Sequence, residues 1–256
     1  MTSRAILCPV DFSEASRGAL RYGIVLAQQF GSELVVRTAT HPLLAEAAAM
    51  ETSEAQVQAS TLDALRRFVA ETIDHPLKRG RLAFEAAVGR PEAEILRAAR
   101  AHKSDLIVIS SHGLTGFRKM FFGSTTERVL RETSVPVLIV PGDDRGPWNY
   151  ADASSRARRI LAPVLLPANA RQILVSQAIA EALVAPVLLL HVVEPLRAVL
   201  PQSDRYLSKV ERERRARAEQ ELETVAGPAG AARVEALIAY GEPSEEIVKV
   251  ARDRGV

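Results

Sequence analysis

A chain of 256 residues is long enough for one large or two ordinary domains, with ample apolar core in either case. Its 47% hydrophobic and 25% charged residues exclude a disordered chain, and a formal net charge of +2 is too small to argue for nucleic acid. A single cysteine, Cys8, excludes an internal disulfide and suits a reducing compartment. The N-terminal "MTSRAILCPVDFSE" lacks a signal-peptide core, and no apolar run approaches the ~20 residues that span a bilayer, so a cytoplasmic protein with no membrane partner is expected. The basic stretch "ERERRARAEQELE" (211–223) alternates with Glu and reads as a solvated helix face.

Strand-like and helix-like segments alternate from the start. "AILCPV" (5–10) is short, apolar and bounded by polar residues, which predicts a strand buried on both faces with Cys8 as a buried thiol. "SEASRGALRYGIVLAQQFG" sets Ala19, Tyr22, Leu26 and Phe30 near helical spacing and stops at Gly31, a C-terminal cap. "ELVVRTA" (33–39) is a second strand, and a helix covers roughly 51–73. "RLAFEAAV" (81–88) is a third strand, and "PEAEILRAARAHK" (91–103) a helix with Pro91 as its first residue. "DLIVIS" (105–110) is a fourth strand, a helix runs from Ser124 to Glu132, and "VPVLIV" (135–140) is a fifth strand. Parallel strands joined by helices give a sheet covered on both sides, so the fold class is α/β, a doubly wound five-stranded parallel sheet.

The polar segment 141–159, rich in Gly, Pro, Asp and Ser, reads as a linker. Beyond it the first pattern recurs. "RILAPVL" echoes "AILCPVD", with Ile160 on Ile6 and Pro163 on Pro9. "VEALIAYGEPSEEIVKVARDRG" echoes "LAFEAAVGRPEAEILRAARAHK", with Gly241 on Gly89 and Pro243 on Pro91. The expected organisation is a first domain at 1–142, a linker at 143–157 and a second domain at 158–256. Val256 aligns with Ser104, so the counterpart of 105–141 is missing, and a second copy incomplete at its C-terminus, as in a truncated piece of a longer protein, is expected. A sheet cut back in this way exposes a flank.

In an open doubly wound sheet, ligands sit beyond the carboxyl ends of strands where the strand order reverses. First and fourth strands as central neighbours would bring Asp11 and the stretch from Ser110 to Gly113 together at that crevice. Gly113 lets the chain turn after the fourth strand, and Gly123 allows a ligand to approach the next helix closely. Ser124, Thr125 and Thr126 follow in its first turn, where free backbone N–H groups and a partial positive charge favour phosphate. Hydrogen bonds to a charged group contribute roughly 1.5–3 kcal/mol each, so two or three at Gly123 to Thr125 could hold a polyphosphate at micromolar affinity without a lysine clamp. Arg118 and Lys119, between the glycines, would add charge or simply face solvent.

These residues resemble the signature of the universal stress protein family: glycine, two residues, glycine, nine residues, glycine, Ser/Thr. Here it reads Ser110, two residues, Gly113, nine residues, Gly123, Ser124, and the flanking "RPEAEILRAARAHKSDLIVISSHG" and "GSTTERVLRETSVPVLIVP" look like the family too. The resemblance covers 4–141 and, as the matching front part of a second domain, 158–256. It implies an adenine-nucleotide alpha-hydrolase-like fold and a stress-response protein binding ATP, with or without magnesium. Asp11 would contact the adenosine part, flanked by Pro9 and Val10. Thr38 would line the base pocket, and Gly113, Gly123, Ser124 and Thr125 would carry ribose and phosphate. Ser110 departs from the signature's first glycine and would either crowd the ribose or bond to it. The family also implies a homodimer or a domain pair through the 135–140 strand.

Plainer roles stand beside these. Asp11 is also a candidate N-cap for the helix starting near Ser13, Gly113 a turn glycine, Ser124 and Thr125 helix caps, and His112 a surface loop residue. In the second copy Leu165 stands at Asp11 and Pro167 at Ser13, so a structural role is expected there. No Ser-His-Asp spacing, metal-ligand cluster or glycine-lysine phosphate loop occurs, so a binding protein with at most slow ATP hydrolysis is expected rather than an enzyme. The alternative is a nucleotide-free dimerisation or interaction scaffold. A related ATP pyrophosphatase or nucleotidyl transferase would need a serine-glycine-rich loop where this chain has "VDFSEAS".

Overall fold

The computed structural model describes residues 5–49, 53–73, 80–111, 123–147, 149–156, 158–167, 170–195, 204–226 and 234–255. The chain divides into two compact units, Met1–Ala153 and Ser154–Val256. In the first, β1 (Ala5–Pro9), β2 (Glu33–Thr40), β3 (Arg81–Val88), β4 (Leu106–Ser110) and β5 (Val137–Val140) form one parallel sheet in the order β3-β2-β1-β4-β5. Helices α1 (Glu14–Phe30), α2 (Pro42–Ala49), α3 (Glu54–Thr72), α4 (Pro91–Ala101) and α5 (Ser124–Glu132) complete the alternation. β1 and β4 are neighbours, with Ile6 opposite Leu106 and Leu7 opposite Ile107. The order reverses between them, which creates the crevice where such sheets take ligands.

Side-chain alternation explains why β1 is apolar throughout. Ala5 and Leu7 join Val35, Ile107 and Ile109 under Ile95, Ala98 and Ala99 of α4 and Val129 of α5. Cys8 points to the other face. There a Cβ added at Gly23 of α1 would stand 3.7 Å from its sulfur, an ordinary contact distance, so α1 packs directly over Cys8. Cys8 is fully buried and burial pushes its thiol pKa up, as befits a structural thiol. α1 starts at the Ser13 cap, whose hydroxyl accepts from Ser16 N, and stops at Gly31, whose φ of 64° is left-handed.

Two features depart from the expectations. The helix expected near 51–73 is α3, started at Ser53 by a capping box with Gln56, but α2 precedes it. Its "PLLAEAAA" shows no polar stripe because Leu43 and Leu44 are 68% and 66% exposed, so periodicity gives no signal. The stretch expected as a linker is also structured. Asp144 and Arg145 dock on α1, and α6 (Tyr150–Arg156) lies within the same stretch. A Cβ at Gly18 would stand 2.0 Å from Asp144 O, so this docking requires glycine in the helix.

In the second unit, β6 (Ile160–Pro163), β7 (Val187–Val193) and β8 (Val234–Tyr240) form a parallel sheet in that order, with α7 (Ala170–Leu183), α8 (Asp204–Ala226) and α9 (Pro243–Arg254). Its register repeats the first: Ile160, Val187 and Val234 align as Ile6, Leu34 and Leu82 do. The duplication read from the sequence is therefore a duplication of strand pairing. Among the described residues β6 pairs on one side only, whereas β1 pairs on both.

Candidate functional site

The β1 end of the crevice is built by local hydrogen bonding. Pro9 ends the strand opposite Arg37, and Val10, 5% exposed, donates its N–H to Arg37 O at 2.8 Å. Asp11 is half-buried, and its Oδ1 accepts from both Ser13 N, at 3.1 Å, and Ser13 Oγ. Ser13, not Asp11, is the N-cap of α1, so Asp11 acts one step back, orienting the cap. Phe12 between them has a φ of 64°, unusual for a bulky side chain, and packs edge-on against Phe68 with ring centroids 5.5 Å apart. This turn sends the chain from strand to helix without moving Asp11 from the sheet end.

At the β4 end, Ser110 and Ser111 are buried. The Ser110 carbonyl accepts from Thr126 Oγ1 at 2.9 Å, and the Ser111 carbonyl accepts from Gly123 N at 2.7 Å. These two bonds hold the start of α5 against the strand end. Gly123 is the N-cap, and no side chain caps the helix there. Ser124 is exposed and Thr125 half-buried, and neither acts as the cap their residue type allowed. α5 thus presents a donor-rich first turn that, among the described residues, no side chain caps.

Thr38 is buried on β2, opposite Ala86. Beside it Arg37, 8% exposed, pairs with Glu85 of β3 and with Glu94 of α4, which also pairs with Arg97. His102 Nε2 lies 2.6 Å from Glu85 Oε1. Burial pushes the Glu85 carboxyl up, but the hydrogen bonds and charges of His102 and Arg37 outweigh it and leave the group below the usual carboxylate range. Glu92, in the first turn of α4, is likewise held low: burial raises it, while backbone N–H and Arg128 lower it further.

Adjacent strands β1 and β4 therefore bring Asp11, Ser110, Gly123, Ser124 and Thr125 to one end of the sheet, with Pro9, Val10 and Thr38 on the β1–β2 side. Gly113, His112, Arg118 and Lys119 lie outside the described residues. Sequence reasoning missed Ser111 and the bracing role of Thr126. The Thr126 hydroxyl was visible in the Ser-Thr-Thr run, but nothing local marks Ser111, whose partners lie far along the chain. In the second unit Leu165, 81% exposed, stands in the place of Asp11. Among the described residues, no group of three or more His, Cys, Asp or Glu could hold a metal ion, and no helix is long and apolar enough to cross a membrane.

Comparison with known proteins agrees with this architecture. The chain is 28% identical over 141 residues to universal stress protein MJ0531 of Methanocaldococcus jannaschii, covering 54% of this chain and 81% of that protein. Against universal stress protein MJ0577 of the same organism it is 25% identical over 152 residues, covering 54% of this chain and 94% of that protein. The crystal structure of a universal stress protein from Archaeoglobus fulgidus matches with a TM-score of 0.57 at 18% identity, across 100% of this chain and 83% of that one, a likeness of fold. The model of the universal stress protein family matches twice, at residues 2–141 and 156–256, and the chain belongs to that family as a tandem of two copies.

Proposed function

We propose that the first unit binds an adenine nucleotide, ATP with or without magnesium, beyond the carboxyl ends of β1 and β4, and that occupancy regulates the partners the protein engages under stress. The observation that carries the reading is the α5 N-terminus: Gly123 has no capping side chain, while Thr126 and Ser111 brace that turn from behind. An anionic ligand there would accept from amides of the first turn, as phosphates do at other helix starts. Gly123, Ser124 and Thr125, with Gly113, would carry ribose and phosphate. Pro9, Val10, Asp11 and Thr38 would border the adenosine. Ser110, 6% exposed, bonds Thr126 through its carbonyl, and its side chain would either crowd the ribose or bond to it.

Equilibrium binding of a labelled ATP analogue tests the site. Micromolar affinity is expected, with at least a tenfold loss (about 1.4 kcal/mol) in Gly123→Leu. No binding, or an unchanged affinity in the variant, overturns the assignment. A second reading, a nucleotide-free scaffold, rests on β5. That strand is the sheet edge and its Val137, Leu138 and Ile139 are only half-buried. Light scattering of Val137→Glu against the parent, over a concentration series, decides whether this edge carries self-association.

A further inference from the structure

We infer that the segment following β5, residues 141–146, is a clasp joining the two walls of the crevice, so that filling the crevice and docking of the clasp on α1 strengthen each other. The ligand half of this inference rests on the nucleotide reading above; the mechanical half does not.

Ser111 is the hinge pin on the β4 side. Its N–H donates to Val140 O at 2.8 Å, its carbonyl holds Gly123 N at 2.7 Å, and its hydroxyl accepts from Gly142 N at 2.9 Å. One buried residue thus touches the start of α5 and the start of the clasp. The clasp then turns, with Asp144 N donating to Pro141 O and Gly146 N to Asp144 Oδ1. On the β1 side it lies against α1. Tyr22 Oη donates to Asp144 Oδ2 at 2.9 Å, Arg21 Nη1 to Arg145 O at 2.6 Å, and Arg145 Nη1 to Glu14 Oε2 at 3.2 Å.

The fit is made by glycines on both partners. A Cβ at Gly18 would meet Asp144 O at 2.0 Å, and one at Gly146, whose φ is 70°, would meet Gly18 O at 2.3 Å. Such contacts hold only while the clasp is seated. α1 in turn begins at the Asp11–Ser13 turn. A ligand that draws Asp11 and the α5 amides together therefore bears on both anchor points of the clasp, and linkage requires the reverse effect too.

The test uses the full chain. Without nucleotide, Gly18→Ala should unseat the clasp, raising tryptic cleavage after the exposed Arg145 and accelerating amide exchange at Gly123, whose N–H is held by the Ser111 carbonyl, about tenfold. Tyr22→Phe, which removes the part-buried hydrogen bond to Asp144 and leaves the α1 backbone unstrained, should shift both readings the same way by a smaller factor. Faster cleavage in either variant with unchanged exchange at Gly123 overturns the inference, as does unchanged cleavage in both. With ATP, the parent should gain protection at Arg145. Tyr22→Phe, whose lost bond touches only the clasp, should bind the ATP analogue yet gain less protection than the parent. ATP binding to the parent without added protection overturns the clasp. A parent that binds no ATP overturns the nucleotide reading instead, and the ligand-free exchange then decides the clasp alone.

Discussion

β2 with β3, and β7 with β8, are one strand pair built twice and filled differently. Where the first pair sets Arg37 opposite Glu85, the second sets Leu190 opposite Leu237, and Leu190 is fully buried. The neighbouring helices keep a shared element: Glu94 pairs with Arg97 on α4 as Glu246 pairs with Lys249 on α9. The same parallel register thus survives with an ionic or an apolar filling. Backbone pairing and side-chain volume hold the sheet, and a buried ion pair adds little net stability because desolvation offsets its attraction. What the ion pair does add is a constraint: once one partner is present, the others must be. The site differs in parallel. Where the first unit has Thr38, the second has His191, whose Nδ1 lies 3.0 Å from the carbonyl of Val164, the counterpart of Val10.

The most damaging change should be Leu190→Arg, which places an unanswered charge in an apolar core at a cost on the order of 4 kcal/mol. Urea unfolding should show the loss, and adding Leu237→Glu should return at least half of it. A double variant no more stable than the single one would mean that the two strand pairs are not interchangeable. Arg37→Leu comes next, at about 3 kcal/mol, because it strips buried Glu94 and half-buried Glu85 of a shared cation. Arg37→Leu combined with Glu85→Leu, copying the second unit, should recover most of that loss in the same assay.

A smaller effect concerns pH. The unfolded chain protonates Glu85 in the ordinary carboxylate range, while the native group, held lower by His102 and Arg37 against its burial, protonates only at lower pH. Its stabilising contribution is therefore complete above the ordinary carboxylate range and fades as pH falls from there through the native value. Denaturant titrations between neutral and acid pH should show a shallower acid loss in Glu85→Leu with Arg37→Leu than in the parent. Least of all should come from Leu165→Asp. At 81% exposure it should change stability by less than about 0.5 kcal/mol and confer no affinity for the ATP analogue. Binding gained there would mean that one carboxylate, without an α5 counterpart, makes the site.

Much of this was readable before any coordinates. β3 at 81–88 and α5 from Ser124 to Glu132 follow the apolar runs and hydroxyl start without adjustment. Gly31 ends α1 as expected, since a left-handed cap favours glycine. α2 escaped notice because helix periodicity requires one buried stripe, and its leucines are exposed. Asp11 was, beside its ligand reading, a candidate cap. The cap is Ser13, and only the left-handed turn at Phe12 puts Asp11 behind it. The stretch after β5 looked like a linker because Gly, Pro and Asp mark irregular backbone, whether that backbone is loose or docked.

Local spacing of apolar residues, glycines and hydroxyls was enough to specify the strand–helix alternation, its duplication and the glycine–hydroxyl start of α5. These signals have short periods and act within a single element. Which strands became neighbours, which carbonyl held Gly123, and where residues 141–146 came to rest were decided by contacts far apart along the chain. The Arg145–Glu14 ion pair and the Gly142–Ser111 hydrogen bond exist only once the sheet has closed around β1 and β4. No local pattern encodes a partner that distant; packing selects it by satisfying buried polar groups and excluding every side chain larger than a hydrogen at Gly18.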